Sequence, residues 1–140
     1  MSRGARITLR ALAVAASLGV LGPLPGSAVA SSKPRQRFFE TVGGAVECEL
    51  DDGGAAGIGV DAYCETLKPP RSATLSASGK LARCYGPTCV SNPPLNVRTL
   101  AAGRTVRLGP FTCRAEAATI SCTIKSGAGF SISHAGVKSL

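Results

Sequence analysis

The chain has 140 residues, of which 17% are charged and 4% aromatic, with six cysteines, no tryptophan and a formal net charge of +8. That length supports one domain beyond a leader, with a core that buries only about two-thirds of the unfolded surface. So few rings exclude an aromatic-rich core and a base-stacking platform for single-stranded nucleic acid, and so short a chain leaves little room for a deep catalytic pocket.

The opening residues MSRGARITLR carry Arg3, Arg6 and Arg10 and no acid, and residues 11–21 are an apolar run. That run is about half of what a helix needs to cross a bilayer. Gly and Pro then interrupt it, and Ala28-Val29-Ala30 offers a small-x-small cleavage site. The pattern is that of a secretory signal peptide over residues 1–30, cut after Ala30. No arginine pair marks the twin-arginine route, and no cysteine near the cut can carry a lipid. The expected product is secreted, extracellular or cell-wall associated, with no membrane contact after cleavage. Residues 31–36 are expected to be a disordered lead and residues 37–140 a single β domain.

From Arg37 onward the chain reads as short stretches rich in β-branched residues: RFFETV, AVECEL, GVDAYCE, RSATLSA, NVRTL, RTVRLG, FTCRA, TISCTI and GFSIS. Pro, Gly, Ser and Asn separate them, which is strand and turn chemistry. No capped helical period appears beyond the leader. The expected fold class is all-β, a small disulfide-stapled antiparallel sandwich or barrel.

Six cysteines in an exported chain imply bridges that supplement a modest core. Alternation within the strands selects the pairs. In AVECEL the residues Val46, Cys48 and Leu50 share a face, and in GVDAYCE so do Val60, Ala62 and Cys64. A hairpin between them sets Cys48 opposite Cys64 and Leu50 opposite Ala62. In FTCRA and TISCTI the same folding sets Cys113 opposite Cys122, Phe111 opposite Ile124 and Ala115 opposite Ile120. A slip by one residue would turn every inward side chain outward. Cys84 and Cys89 remain, and close a small loop around the turn dipeptide Gly86-Pro87. Each bridge is expected to contribute about 2–4 kcal/mol.

Charge is unevenly placed. Residues 31–79 carry five basic and seven acidic residues, whereas residues 80–140 carry eight basic ones and only Glu116. The basic half, with Arg98, Arg104, Arg107, Arg114 and Lys125, is the candidate contact surface for an anionic cell-wall polymer or another secreted protein. Nucleic acid is not expected, because Tyr85 and the phenylalanines read as core. In the first hairpin the outward residues are Glu47, Glu49, Asp51, Asp61 and Glu65, with Glu47 opposite Glu65 and Asp51 opposite Asp61. Like charges directly opposite destabilise a sheet. Arginines from the basic half, a hard cation near residues 51–54, or water and salt would relieve this.

Catalytic patterns are missing. His134 is the single histidine, and no G-x-S-x-G, H-E-x-x-H or phosphate-cradling loop occurs. No catalytic residue, cofactor or metal ligand is assigned, and no enzyme is expected. Cys84-x4-Cys89 lacks both the C-x-x-C spacing and the helix N-terminus of a redox site.

Three stretches carry a resemblance: FETVGGAVEC at residues 39–48, LAAGRTVRLGPFTC at 100–113, and CTIKSGAGFSIS at 122–133. They are similar to a family of small secreted actinobacterial proteins classed as a domain of unknown function. That family's pattern runs from F-x-[ST]-x-S-G-N-I-x-C through G-x-F-x-C to a closing G-H-G-F-x-[IL]-S. Here Gly43-Gly44-Ala45-Val46 replaces Ser-Gly-Asn-Ile, and Ala128 replaces the usual His. The resemblance implies the fold and its staples and carries no activity.

The expected function is a non-enzymatic binding or structural module of the cell envelope or extracellular space. The alternative is a secreted serine-protease inhibitor that presents the loop at residues 89–95. There Val90, Ser91, Asn92, Pro93 and Pro94 are braced by Cys89 and the proline pair. The stretch resembles the Cys-x-x-Ser-x-Pro-Pro loop of Bowman–Birk inhibitors, one residue short and without the closing cysteine.

Overall fold

The computed structural model describes residues 35–53, 59–92, 94–95 and 97–140. The expected signal peptide, residues 31–34 of the lead, residues 54–58 of the first hairpin loop, Pro93 and Asn96 lie outside the described residues. Among the described residues the chain forms eleven strands: β1 (Gln36–Thr41), β2 (Glu47–Asp52), β3 (Val60–Leu67), β4 (Pro70–Ser76), β5 (Leu81–Tyr85), β6 (Arg98–Leu100), β7 (Thr105–Leu108), β8 (Phe111–Ala115), β9 (Thr119–Ile124), β10 (Gly129–Ser133) and β11 (Gly136–Ser139). They build two sheets in the orders β5-β4-β3-β2-β1-β6 and β11-β10-β9-β8-β7. The sheets stack as a stapled β sandwich that does not close into a barrel. No helix among the described residues is long and apolar enough to cross a membrane.

Alternation does the sorting. In β8, Phe111, Cys113 and Ala115 are buried while Thr112 and Arg114 face out. In β9, Ile120 and Cys122 are buried between half-exposed Thr119, Ser121 and Thr123. The inward residues of both sheets form one core around the rings of Phe39, Phe111 and Phe130, packed with Leu50, Leu75, Ile120 and Ile132. Cys48 pairs with Cys64 across β2 and β3, and Cys113 with Cys122 across β8 and β9, each with 4.1 Å between Cα atoms. These two bridges meet between the sheets, where Cys64 Sγ lies 3.8 Å from Cys122 Sγ. The third bridge, Cys84–Cys89, spans a rim turn in which Gly86 adopts φ 114° and a short 3-10 turn covers Pro87–Cys89.

The Gly-x-Gly-Phe stretch has a packing reason. Gly127 sits at φ +92° in the tight β9–β10 turn, a conformation that side chains with a Cβ rarely adopt. A Cβ on Gly129 would collide with the Cys122 carbonyl oxygen. Gly127 is thus held by its backbone conformation and Gly129 by close packing.

Four features differ from the sequence expectations. β1 begins at Gln36, inside the expected lead. β5 and β11 are additional strands; their residues are exposed or half-buried throughout and carry no buried alternation to reveal them. β1 and β6 pair in parallel, with Phe39 beside Arg98, whereas an antiparallel assembly is expected. β6 arrives from a long loop rather than a hairpin, so no tight turn dictates its direction. Tyr85 is 63% exposed on the edge strand β5 and takes no part in the core.

The bridges therefore differ in consequence. Cys84→Ala with Cys89→Ala is expected to cost about 2 kcal/mol, the loop-closure share alone. Cys113→Ala with Cys122→Ala is expected to cost about 4 kcal/mol or more, because two buried sulfur atoms leave a cavity as well. Urea denaturation of the two variants measures this; equal losses would contradict it.

Candidate binding surfaces

The outer face of the first sheet is acidic. Register places Glu47 opposite Glu65 and opposite Glu40, and Asp51 opposite Asp61. The conflict foreseen from sequence is thus present, and it is met only in part: Glu47 Oε2 and Asp51 Oδ1 are buried without a hydrogen-bond partner. Asp52, on the opposite face of β2 and against Gly109 of the second sheet, forms an ion pair with Arg35. Gln36 Nε2 donates to Glu49 Oε1 at 3.0 Å. Among the described residues no arginine of the basic half forms an ion pair on this face.

Glu65 is 2% exposed, yet its carboxylate is well supplied. Ser91 N–H donates to Oε2 at 2.7 Å, and the Ser91 hydroxyl lies 3.3 Å from the same oxygen. The single Tyr63 hydroxyl proton is shared between Glu65 Oε2 and the Cys89 carbonyl, which is 2.8 Å away. Burial, and then the hydrogen bond to Glu65, push the Tyr63 phenol up to about 12. These bonds tie the segment after Cys89 down onto the sheet. Beneath that segment lies a cleft of about 320 Å³, lined by Glu47, Glu49, Tyr63, Glu65, Phe38 and Val97 among others. Two facing carboxylates invite comparison with glycosidase chemistry. Glu65 is 2% exposed and its Oε2 already accepts from Ser91 N–H, so it tethers the segment after Cys89 to the sheet.

The candidate presented loop is therefore partly held. Ser91 and Asn92 are exposed, Val90 is half-buried, and Pro94 and Leu95 lie on the surface, but Cys89 C=O and Ser91 N–H are bonded to Tyr63 and Glu65. Nothing in the sequence links Tyr63 or Glu65 to residues 26 positions away. Only the buried carboxylate, once its strand is placed, asks for a partner.

The outer face of the second sheet is the reverse. Thr105 pairs with Arg114, Arg114 with Ser121, Ser121 with Ser131, and Ser131 with Lys138. A second row runs Arg107, Thr112, Thr123, Gly129. Apart from Gly129, hydroxyls and cations fill both rows, and no carboxylate enters either. Glu116, just beyond β8, accepts from Arg114 Nε at 3.0 Å. Arg114 and Lys138 stand three strand spacings apart, about 14 Å.

The five candidate contact residues do not share one face. Arg107 and Arg114 stand on the outer face of the second sheet. Arg104 lies in the turn before β7, and Lys125 in the turn after β9. Arg98 is on β6 of the other sheet and joins Arg37 and Arg107 at a cleft between the two sheets. Sequence reasoning missed Lys138, whose strand shows no alternation, and Arg37, which lies in the acidic half. His134 is exposed and its Nδ1 meets the Lys68 carbonyl. Ser133 Oγ accepts from Ala135 N–H at 3.2 Å instead of approaching that ring. Comparisons with family models, curated proteins and solved structures find no match for this chain.

The acidic face gives a pH dependence. Burial first, and then Glu40 and Glu65, hold the Glu47 carboxyl above its ordinary 4.5. Burial and then Asp51 do most to raise Glu49 above 4.5, and to raise Asp61 above 3.8. A carboxyl raised on folding takes up its proton in the folded state first, so its stabilising effect is present at low pH and fades as pH rises through the folded value. Melting temperature is therefore expected to rise by a few degrees between neutrality and about pH 5, with Glu47→Gln flattening the rise. Thermal denaturation across pH checks this; a steady fall over the same interval would contradict it.

Proposed function

We propose that the chain is a secreted, non-enzymatic binding module of the cell envelope or extracellular space that contacts an anionic polymer through the outer face of its second sheet. The observation that carries the proposal is the pair of rows from Thr105 to Lys138 and from Arg107 to Gly129, with cations spaced among hydroxyls and no acid between them. A polymer with repeating phosphate or carboxylate groups would meet point charges at Arg107, Arg114 and Lys138 and hydroxyl donors at Thr112, Ser121, Thr123 and Ser131. The acidic face on the opposite side repels the same polymer, so approach is oriented.

Three disulfides in a small domain support an oxidising location, as the leader-like residues 1–30 do. We read the chain as one of the small secreted actinobacterial domains that it resembles, with the glycines of the shared signature serving the β9–β10 turn. The inhibitor reading has less support. An inhibitory loop offers backbone groups to the protease, and here Cys89 C=O and Ser91 N–H are already bonded within the domain.

Residues 31–140 are expected to be retained on a heparin or teichoic-acid matrix at low salt and to elute as salt screens the contact. Arg107→Ala, Arg114→Ala and Lys138→Ala combined should abolish most of the retention, while Lys80→Ala with Arg83→Ala on the first sheet should change it little. Passage through both matrices at low salt, or equal retention of the triple variant, would contradict the proposal.

A further inference from the structure

On one side of the sandwich both sheets stop. β6 pairs only with Phe39–Thr41 of β1, so the preceding residues Gln36, Arg37 and Phe38 have no strand on that side among the described residues. Across the mouth stands β7, the last strand of the second sheet, paired with β8 alone. Arg104 C=O accepts from Ala115 N–H at 3.0 Å, which turns that residue's carbonyl toward β8. Antiparallel alternation then turns the backbone groups of Thr105 and Arg107 toward the open side. A cleft of about 580 Å³ lies here.

Arg37, Arg98 and Arg107 line this cleft, together with Phe38, Leu95 and Val97. None of the three arginines forms an ion pair among the described residues, and no carboxylate lines the cleft. Arg37 lies two residues before buried Phe39 on β1, and Arg98 is the register partner of Phe39. Both therefore sit on the inward face, where the core gives way to the mouth. Leu95 is 91% exposed beside them. Inward-facing charges at a sheet edge ordinarily bar another strand, because an incoming apolar residue would bury them without a partner. The bar is lifted for a strand that brings its own carboxylates.

We propose that this cleft takes an extended acidic peptide segment of another protein, added as a strand along β7. Main-chain hydrogen bonds to Thr105 and Arg107 would supply affinity. Carboxylates on alternate residues would meet Arg37 and Arg98, and the residues between would face out of the sandwich beside the side chains of Thr105 and Arg107. The site shares Arg107 with the polymer-binding face but does not use that face's other cations, Arg114 and Lys138.

Fluorescence anisotropy with a labelled peptide alternating Asp and Val tests this on the disulfide-intact domain. Saturable binding is expected, with none for the Lys-Val counterpart. Arg37→Glu with Arg98→Glu should weaken binding by about tenfold or more, whereas Arg114→Ala with Lys138→Ala should leave it unchanged. An Asp-Val peptide N-methylated along one edge keeps the charge and loses strand pairing, so it should bind no better than the Lys-Val peptide to the unaltered domain. Equal affinity for the methylated and parent peptides would overturn strand addition, and absence of binding at low salt would overturn the site. Sedimentation of the domain alone adds an arm: a dimer that Arg37→Glu with Arg98→Glu dissociates would assign the mouth to a second copy and overturn the peptide.

Discussion

Sulfur meets sulfur at the centre of the sandwich. Cys64 Sγ rests 3.8 Å from Cys122 Sγ, so the bridge that closes the β2–β3 hairpin packs on the bridge that closes β8–β9. Each bridge forces its two cysteines to the same face and directly opposite one another, which leaves each hairpin a single register. Buried sulfur is also polarizable and fills space that aromatic side chains would otherwise occupy. With three buried rings in the domain, that contribution is not minor.

Everything on the outer surfaces follows from those registers. Once Cys48 and Cys64 face inward, Glu47 and Glu65 must face outward and opposite each other. Once Cys113 and Cys122 face inward, Arg114 and Ser121 must do the same on the other side. The uneven charge along the chain becomes two faces of opposite character. The acidic face is costly, and at Glu65 the fold supplies partners by pinning the loop after Cys89 onto it through Tyr63 and Ser91. The Cys84–Cys89 bridge sets where that loop begins. It fixes the start of the segment whose Cys89 carbonyl and Ser91 N–H are bonded to Tyr63 and Glu65.

The two hairpins were legible in the sequence because both signals, alternation and cysteine placement, fell on the same residues. Phe111, Cys113 and Ala115 could face only one way. β5 and β11 were not legible, since residues such as Arg83, Tyr85 and Lys138 are exposed and an edge strand needs no apolar period. The parallel pairing of β1 with β6 joins residues about sixty positions apart and leaves no local mark. The candidate contact residues were legible as charges but not as a surface. Sequence distance grouped Arg98 with Arg114, whereas the fold puts them on different sheets and brings Arg37 to Arg98 instead. The tether on Glu65 was the least visible, because it depends on a buried carboxylate whose partner comes from a loop.

The registers fixed by the stacked bridges give the second sheet a face of cations and hydroxyls and the first an acidic one, and the proposal is that the former binds anions. The most direct test is a backbone-amide NMR titration of the domain with a short sulfated or phosphate-bearing oligomer at low salt. The account predicts shift changes concentrated at Thr105, Arg107, Thr112, Arg114, Ser121, Ser131 and Lys138, with the amides of Glu47, Glu49, Asp61 and Tyr63 unmoved. Perturbation centred on the first sheet or on residues 89–92, or no perturbation at all, would contradict it.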